Sequence, residues 1–385
     1  MPFSKDELRA AFQDALLVNP YLDLEHFIGN HVGGENFWVN LQPFLLHRGY
    51  RLRPRYHCDW TAPWSQGDSI NFEVYQFEEA LTLKKGRNLL DAIRISDGAK
   101  VVLKRVETWR DELPIAQYLS SPEIQCDPRN HTVPILDILL LPDDDEHALL
   151  VMPQLLLFDQ LPFRRLGEFV DALRQYFEVR GLHVRSDLGP VAKDETLPYQ
   201  GLDFLHEHRI AHKDACYFNL MMDGSKLVPR GVHFMAPDTY DGLTEVLEWH
   251  DRSSVGPIKY YFIDFGLSKW FYPKANIVFS GVYGQDRTVP EHKLEEPHDP
   301  FKVDIYQLGN VIIQMIRKYE GMEPLLGIAT AMTRKKPQDR MSLPDALYYL
   351  NHIPRKVLKR RVWRRDCPPY MLSIRCCGGS TKMTS

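Results

Sequence analysis

The chain of 385 residues is 44% hydrophobic and 25% charged, the composition of an ordinary soluble globular protein with room for a large core and extensions. Its charge argues against a dedicated nucleic-acid-binding domain: residues 1–353 carry 38 Lys and Arg against 50 Asp and Glu, and the basic excess is confined to the last 32 residues, nine against Asp366. The charged N-terminus has no apolar signal core, the most apolar run (148–158) is too short to span a bilayer, and the cysteines at 58, 126, 216, 367, 376 and 377 show no metal-ligand spacing, so a cytoplasmic or nuclear protein with reduced thiols and no transmembrane segment is expected.

Residues 1–83 open on an amphipathic helical pattern (Leu8, Phe12, Leu16) and continue as a loop-rich stretch, an N-terminal extension packed on the core. From Leu89 to Val106 two β-rich runs flank the turn signal Ser96-Asp97-Gly98, which predicts a hairpin. A short helix is expected through Glu112, Ile115, Ala116 and Leu119, then strands over 133–140 and 148–152. Beyond Pro153 the pattern turns helical, with apolar faces over 169–177, 303–318 and 343–350. Residues 179–200 interrupt it with two glycines and two prolines. Their deletion would join Phe169, Leu173 and Tyr176 to Leu202 and Leu205 in one helical stripe. The segment is either a surface insertion or a retained intron. We favour the intron, and the mature transcript decides.

Three fragments place a charged or metal-binding side chain beside a predicted strand. Lys104 follows Val101-Val102-Leu103, His212-Lys213-Asp214 precedes Asn219, and Asp264-Phe265-Gly266 ends the apolar run 260–263. A carboxylate fed by a buried strand needs a metal, a partner or water to justify its charge. This order is what phosphoryl transfer from a metal-bound nucleotide requires: a cation for the phosphates, a carboxylate for the attacking hydroxyl, then an amide and a carboxylate for the metal. Val289-Pro290-Glu291, Asp304 to Gly309 and Arg340 follow in order. On these residues the chain resembles a eukaryotic protein kinase domain, a divergent one, and is similar to the kinase-like family expanded in basidiomycete fungi. The match runs from about residue 86 to 350.

The resemblance implies an α+β, two-lobed protein-kinase-like fold: an N-lobe (84–153) of small antiparallel sheet and one helix, and a larger, mainly helical C-lobe (154–353) carrying an inserted excursion at 223–257. It implies ATP and Mg²⁺ as cofactors and a protein substrate phosphorylated on hydroxyl groups, by default Ser/Thr. Lys104 would bind phosphates and pair with a helix glutamate, Glu112 or Glu107. Gly86 would belong to the phosphate loop, Ala92 would lie over adenine, and Met152 and Leu155 would flank the adenine edge. Asp214 would orient the acceptor, Asn219 and Asp264 would hold metal, Asp304 would brace the catalytic loop, and Arg340 would pair with Glu291.

Four departures stand against the family pattern. Only Gly86 is present where three loop glycines belong, Lys213 replaces an arginine, Cys216 and Phe218 occupy positions that usually carry a cation, and 44 residues separate Asn219 from Asp264. The sparse glycines and Cys216, with the helix interrupted at 179–200 ahead of the catalytic loop, keep a second reading open, a pseudokinase scaffold that binds partners without turnover. The basic tail (354–385) reads as a solvated segment, with a weak membrane-surface contact through its Lys/Arg cluster and Cys376-Cys377, or nuclear import, as alternatives.

Overall fold

Residues 100–107 bury Val101 and Leu103 on one face and Val102 and Val106 on the other, and a strand covered on both sides belongs in the middle of a sheet. In the computed structural model, which describes residues 31, 34–65, 77–82, 88–177, 201–243, 245, 247–272, 278, 280–281, 283–293 and 297–365, this segment is β3 (Lys100–Glu107). It lies between β2 (Leu89–Arg94) and β5 (Asp144–Pro153) in a five-stranded antiparallel sheet ordered β1-β2-β3-β5-β4, with β1 (Tyr50–Arg51) and β4 (Asp137–Leu141) at the edges.

Each face of the sheet takes one helix. Trp38, Leu41 and Leu45 of α1 (Glu35–His47) fall on one helical side and pack on Leu90, Ala92, Val101, Leu103, Leu149 and Val151. Leu113 and Ala116 of α2 (Glu112–Leu119) pack on Val106, Ala148 and Leu150 of the other face. The sequence reading missed α1, whose pattern is broken by Pro43 inside the helix and begins at Gly34 without a side-chain cap. Residues 34–65 therefore share the core of the sheet and supply its first strand.

The remainder is mainly helical. The helices α3 (Leu166–Phe177), α4 (Leu202–Glu207), α5 (Pro300–Lys318), α6 (Leu326–Met332) and α7 (Leu343–Asn351) bury one large apolar cluster. Helix α5 starts where the Asp299 carboxylate accepts the Phe301 N–H at 2.9 Å and Pro300 fills the first helical position. Short antiparallel pieces connect the helices: β6 (Leu156–Leu157), β8 (Leu220–Met222) and β9 (Tyr260–Phe262) in one sheet, β7 (Ile210–Ala211) paired with β10 (Lys269–Trp270), and β11 (Tyr319–Glu320) with β12 (Trp363–Arg364). The architecture is mixed α+β. Among the described residues no helix is long and apolar enough to cross a membrane.

The segment 179–200 lies outside the described residues. Its flanks meet: a Cβ on Gly201 would collide with the backbone carbonyls of Gln175 and Tyr176, so the chain returns to the end of α3 from which it left. Phe169, Leu173, Tyr176, Leu202 and Leu205 all belong to one core. The excursion 223–257 buries Leu227, Val228, Val232, Leu247 and Trp249 in that core, while its Val232 carbonyl accepts from Lys100 Nζ at 2.9 Å and Gln154 Nε2 at 3.1 Å. The basic tail departs from the solvated reading as far as Arg365. Leu166 N–H donates to the Arg360 carbonyl, Val362 N–H to Arg164 and Arg365 N–H to Lys318, at 2.8–3.1 Å, and Val362 is buried. Composition alone suggested solvent; backbone pairing keeps 355–365 on the body. Residues 366–385 lie outside the described part.

Candidate functional site

The register of β3 aims Lys104. It stands opposite Leu89 and Leu150, on the sheet face that also carries Val102 and Met152 and that α2 covers. Glu112 is in the first turn of α2, where a carboxylate suits the helix dipole, and its Oε1 accepts from Lys104 Nζ. Of the two glutamates read as partners, Glu112 makes the contact; Glu107 pairs with Arg110. Lys104 Nζ also donates to Asp264 Oδ1 at 2.7 Å.

One ammonium thus serves two carboxylates, and they do not share it equally. Burial opposes the charge on Lys104, but Glu112 and Asp264 outweigh it and raise its pKa. Burial lifts the Glu112 carboxyl above its ordinary range, against the pull of Lys104. Burial acts the same way on Asp264, yet there Lys104 and the Gly266 N–H prevail and hold it below the ordinary value. Asp264 is the more firmly ionised of the two, and its side chain is 47% exposed.

Asp264 follows β9 with φ +64°, a left-handed conformation that Asp tolerates better than most residues, and its Oδ1 accepts the Gly266 N–H at 3.3 Å. Phe265 is buried and packs on the His212 ring at 5.1 Å. The residue before Asp264 ties this loop to the next: Ile263 N–H donates to the Asn219 carbonyl and the Ile263 carbonyl accepts from His212 Nε2, both at 3.1 Å.

The loop after β7 is braced from below. The buried Asp304 carboxylate of α5 accepts the backbone N–H of His212 at 2.9 Å and of Lys213 at 2.6 Å, with His206 Nε2 at 3.0 Å. Gln307, one turn on, accepts the Ala215 N–H at 2.9 Å and donates to the Lys213 carbonyl at 3.2 Å. These bonds hold Lys213 at φ +65°. Burial pushes the Lys213 ammonium down to about 8, and its Nζ lies 4.4 Å from the Tyr283 ring centroid. The loop delivers Asp214 and Asn219 to one spot: Asn219 Nδ2 donates to Asp214 O at 2.9 Å and to Oδ2 at 3.0 Å. That leaves Asn219 Oδ1 with no hydrogen bond among the described residues. The neighbouring Cys216 thiol is buried, and burial together with the Asp214 charge pushes it up to about 12, so it is no nucleophile near neutral pH.

Other sequence-selected residues fall differently. Gly86 lies outside the described residues. Ala92 is corrected: it stands opposite Val101, on the sheet face away from Lys104, and is buried under α1. Strand side chains alternate, so a shift of one position changes face, and Leu89, Asp91 and Ile93 are the β2 residues on the Lys104 side. Met152 shares that side. Leu155 packs on the helical core and lines a cavity of about 580 Å³ between Lys100, residues 153–156 and the 223–232 stretch. A residue with no sequence signal also reaches the site: Gln285 N–H donates to Asp214 Oδ1 at 2.8 Å. Compared with protein-family models and with curated proteins, the chain matches none.

Proposed function

We propose that this protein is a phosphotransferase of two-lobed, protein-kinase-like fold that moves the γ-phosphoryl group of ATP to protein hydroxyl groups, Ser and Thr by default. The observation that carries the reading is the convergence on Lys104 of two carboxylates, one 8 and one 160 residues along the chain, beside the paired Asp214 and Asn219. A purely structural ion pair would not need a half-exposed second carboxylate or an amide oxygen that no donor among the described residues meets.

The donor set fits Mg²⁺. Asp264 is held ionised and is half-exposed, and Asn219 Oδ1 has no hydrogen bond among the described residues, so the two offer the oxygen ligands that a hard cation takes. Bound there, the ion would neutralise charge on the phosphates. Lys104 presents its ammonium to phosphate oxygens, and Glu112 fixes where that ammonium points. Asp214 accepts the hydrogen bond of the acceptor hydroxyl and orients its oxygen. Asp304 and Gln307 hold the loop so that none of this geometry has to be found at the moment of reaction.

A second reading, a scaffold without turnover, is favoured by one observation: Asp214 is only 4% exposed. Thermal shift separates the two. ATP with Mg²⁺ at about 100 times Kd should stabilise the chain by about 2.7 kcal/mol, and ATP without the metal by less. Phosphotransfer should fall roughly 100-fold or more in Asp214→Asn. No metal-dependent stabilisation and no phosphotransfer by the parent would leave the scaffold; an Asp214→Asn variant as fast as the parent would refute the role given to Asp214.

A further inference from the structure

We propose that the cavity of about 660 Å³ between α1, the edge of β2 and the 223–257 excursion binds a small carboxylate carried on an apolar or aromatic body. The cavity exists because β1 stops short. It pairs with β2 only through Tyr50 and Arg51, opposite Arg94 and Ile93, and the chain turns away at Pro54, which has no N–H to offer a ladder. Among the described residues no strand covers the β2 edge from Ala92 back to Leu89. Around that edge stand α1, residues 51–57, Glu78 and, from the far side, residues 232–234. Most of these walls come from residues ahead of 86 and from the inserted excursion, parts of the chain that the kinase resemblance leaves unaccounted for. The inference does not rest on the phosphotransfer reading.

Gln42 is the informative wall residue. It is 9% exposed, it borders the cavity, and its amide has no hydrogen bond among the described residues. A buried amide is left in that state where water or a ligand serves it. The charges choose the ligand. Arg51, Arg53 and Lys100 face Glu78 and Asp91, so three cations meet two carboxylates. Arg53 spans both acids, at 3.1 Å and 3.2 Å, and His233 Nε2 lies 3.0 Å from Glu78. Arg51 and Lys100 make no ion pair among the described residues. Lys100 Nζ donates to the Val232 carbonyl at 2.9 Å, and an ammonium has further N–H groups to give. One more negative charge is what the wall lacks. Leu46, Leu52, Ile93, Val232 and Phe234 supply apolar surface, which suits a hydrocarbon or aromatic body and not a bare inorganic ion. The carboxylate accepts from the Lys100 ammonium and the Gln42 amide, and its body displaces water from the apolar side chains.

Calorimetric titration of the full chain tests this, with 2-naphthoate and decanoate as the carboxylates and 2-naphthamide and 2-naphthylmethylamine as neutral and cationic counterparts of the first. At least one carboxylate should bind at a single site with a Kd of about 0.1 mM or below, and the amide and amine at least about tenfold more weakly. Lys100→Met keeps the stem and removes the charge, and should weaken binding roughly tenfold; Gln42→Leu should weaken it about fivefold. Should either variant fail to fold, Leu46→Trp, at a position 45% exposed, fills the cavity from its rim and should abolish binding. No binding of either carboxylate at about 1 mM, equal affinity for the amide, or an affinity that none of the three variants changes overturns the proposal and leaves Gln42 to water. Competition by ATP with Mg²⁺, in strict proportion to their concentration, puts the ligand in the site at Lys104 and overturns it as well. Binding that ATP and Mg²⁺ leave intact and the variants weaken supports it, whether or not the chain transfers phosphate.

Discussion

Lys104 shows how one residue ties stability to the site. Its side chain is largely buried between Glu112 and Asp264, so Lys104→Met leaves two facing carboxylates without a cation, a loss of about 3–5 kcal/mol at pH 7 for a broken buried pair. The loss should depend on pH in a definite sense. Glu112 already has a folded pKa above its unfolded value, and removing the ammonium raises it further. An acid of that kind stabilises the fold below its unfolded pKa and loses this contribution as pH rises through the folded one. Urea midpoints of Lys104→Met should therefore fall from pH 5 to pH 7 relative to the parent, and a pH-independent difference would contradict the account. The candidate site residues were legible because strand and loop chemistry surrounds them: apolar runs lead to Lys104 and Asp264, and the polar run His212-Lys213-Asp214 stands five residues before Asn219. Gln285 was not legible, because its main-chain N–H is what acts, and every residue but proline has one.

Among the elements, strands and helices with a clean period were readable from the sequence, and those defined by distant partners were not. The hairpin of β2 and β3, helix α2 and the stripe of α5 fall close to where alternation and 3.6-residue spacing put them. Helix α1 and the fold of 355–365 escaped, one because of Pro43 and one because seven Lys and Arg in 354–365 mask a strand held by backbone bonds. The turn 290–293 depends on a partner far along the chain: Arg340 meets both oxygens of the buried Glu291 at 2.6 Å, and its other donors go to the carbonyls of Arg334 and Lys302. Arg340→Met should cost about 3–5 kcal/mol because it strands a buried carboxylate. Arg340→Lys should recover little, since an ammonium cannot make the two-pronged contact. The double variant Arg340→Met with Glu291→Met should be more stable than Arg340→Met alone, because no buried charge is left unpaired. Urea unfolding of the three would show it, and equal losses in the single and double variants would deny the pair its role.

On the scale of the whole molecule, the N-terminal part does more than lie on a finished core. Trp38, Leu41, Leu45, Tyr50, Leu52 and Tyr56 cover the sheet face built from Leu90, Ala92, Val101, Leu103, Leu149 and Val151. A buried ion pair, Arg55 to Glu35 at 2.7 Å, fastens this layer to itself. A second set of bonds carries it to the far side of the chain: Arg53 reaches Asp91 at 3.2 Å and Glu78 at 3.1 Å, and Glu78 accepts from His233 of the 223–257 excursion at 3.0 Å. Burying six side chains of this kind contributes on the order of 10 kcal/mol, comparable to the 5–15 kcal/mol that typically holds a whole domain folded. A chain beginning at Asn88 keeps Lys104, Glu112, Asp214, Asn219 and Asp264 but exposes one full face of the sheet that aims Lys104. It should be insoluble or lack a cooperative transition at 25 °C, bind a hydrophobic dye, and show no stabilisation by ATP and Mg²⁺. A sharp urea transition at the parent's midpoint would instead mean that the helical core carries the sheet unaided, and that residues 34–65 are an appendage.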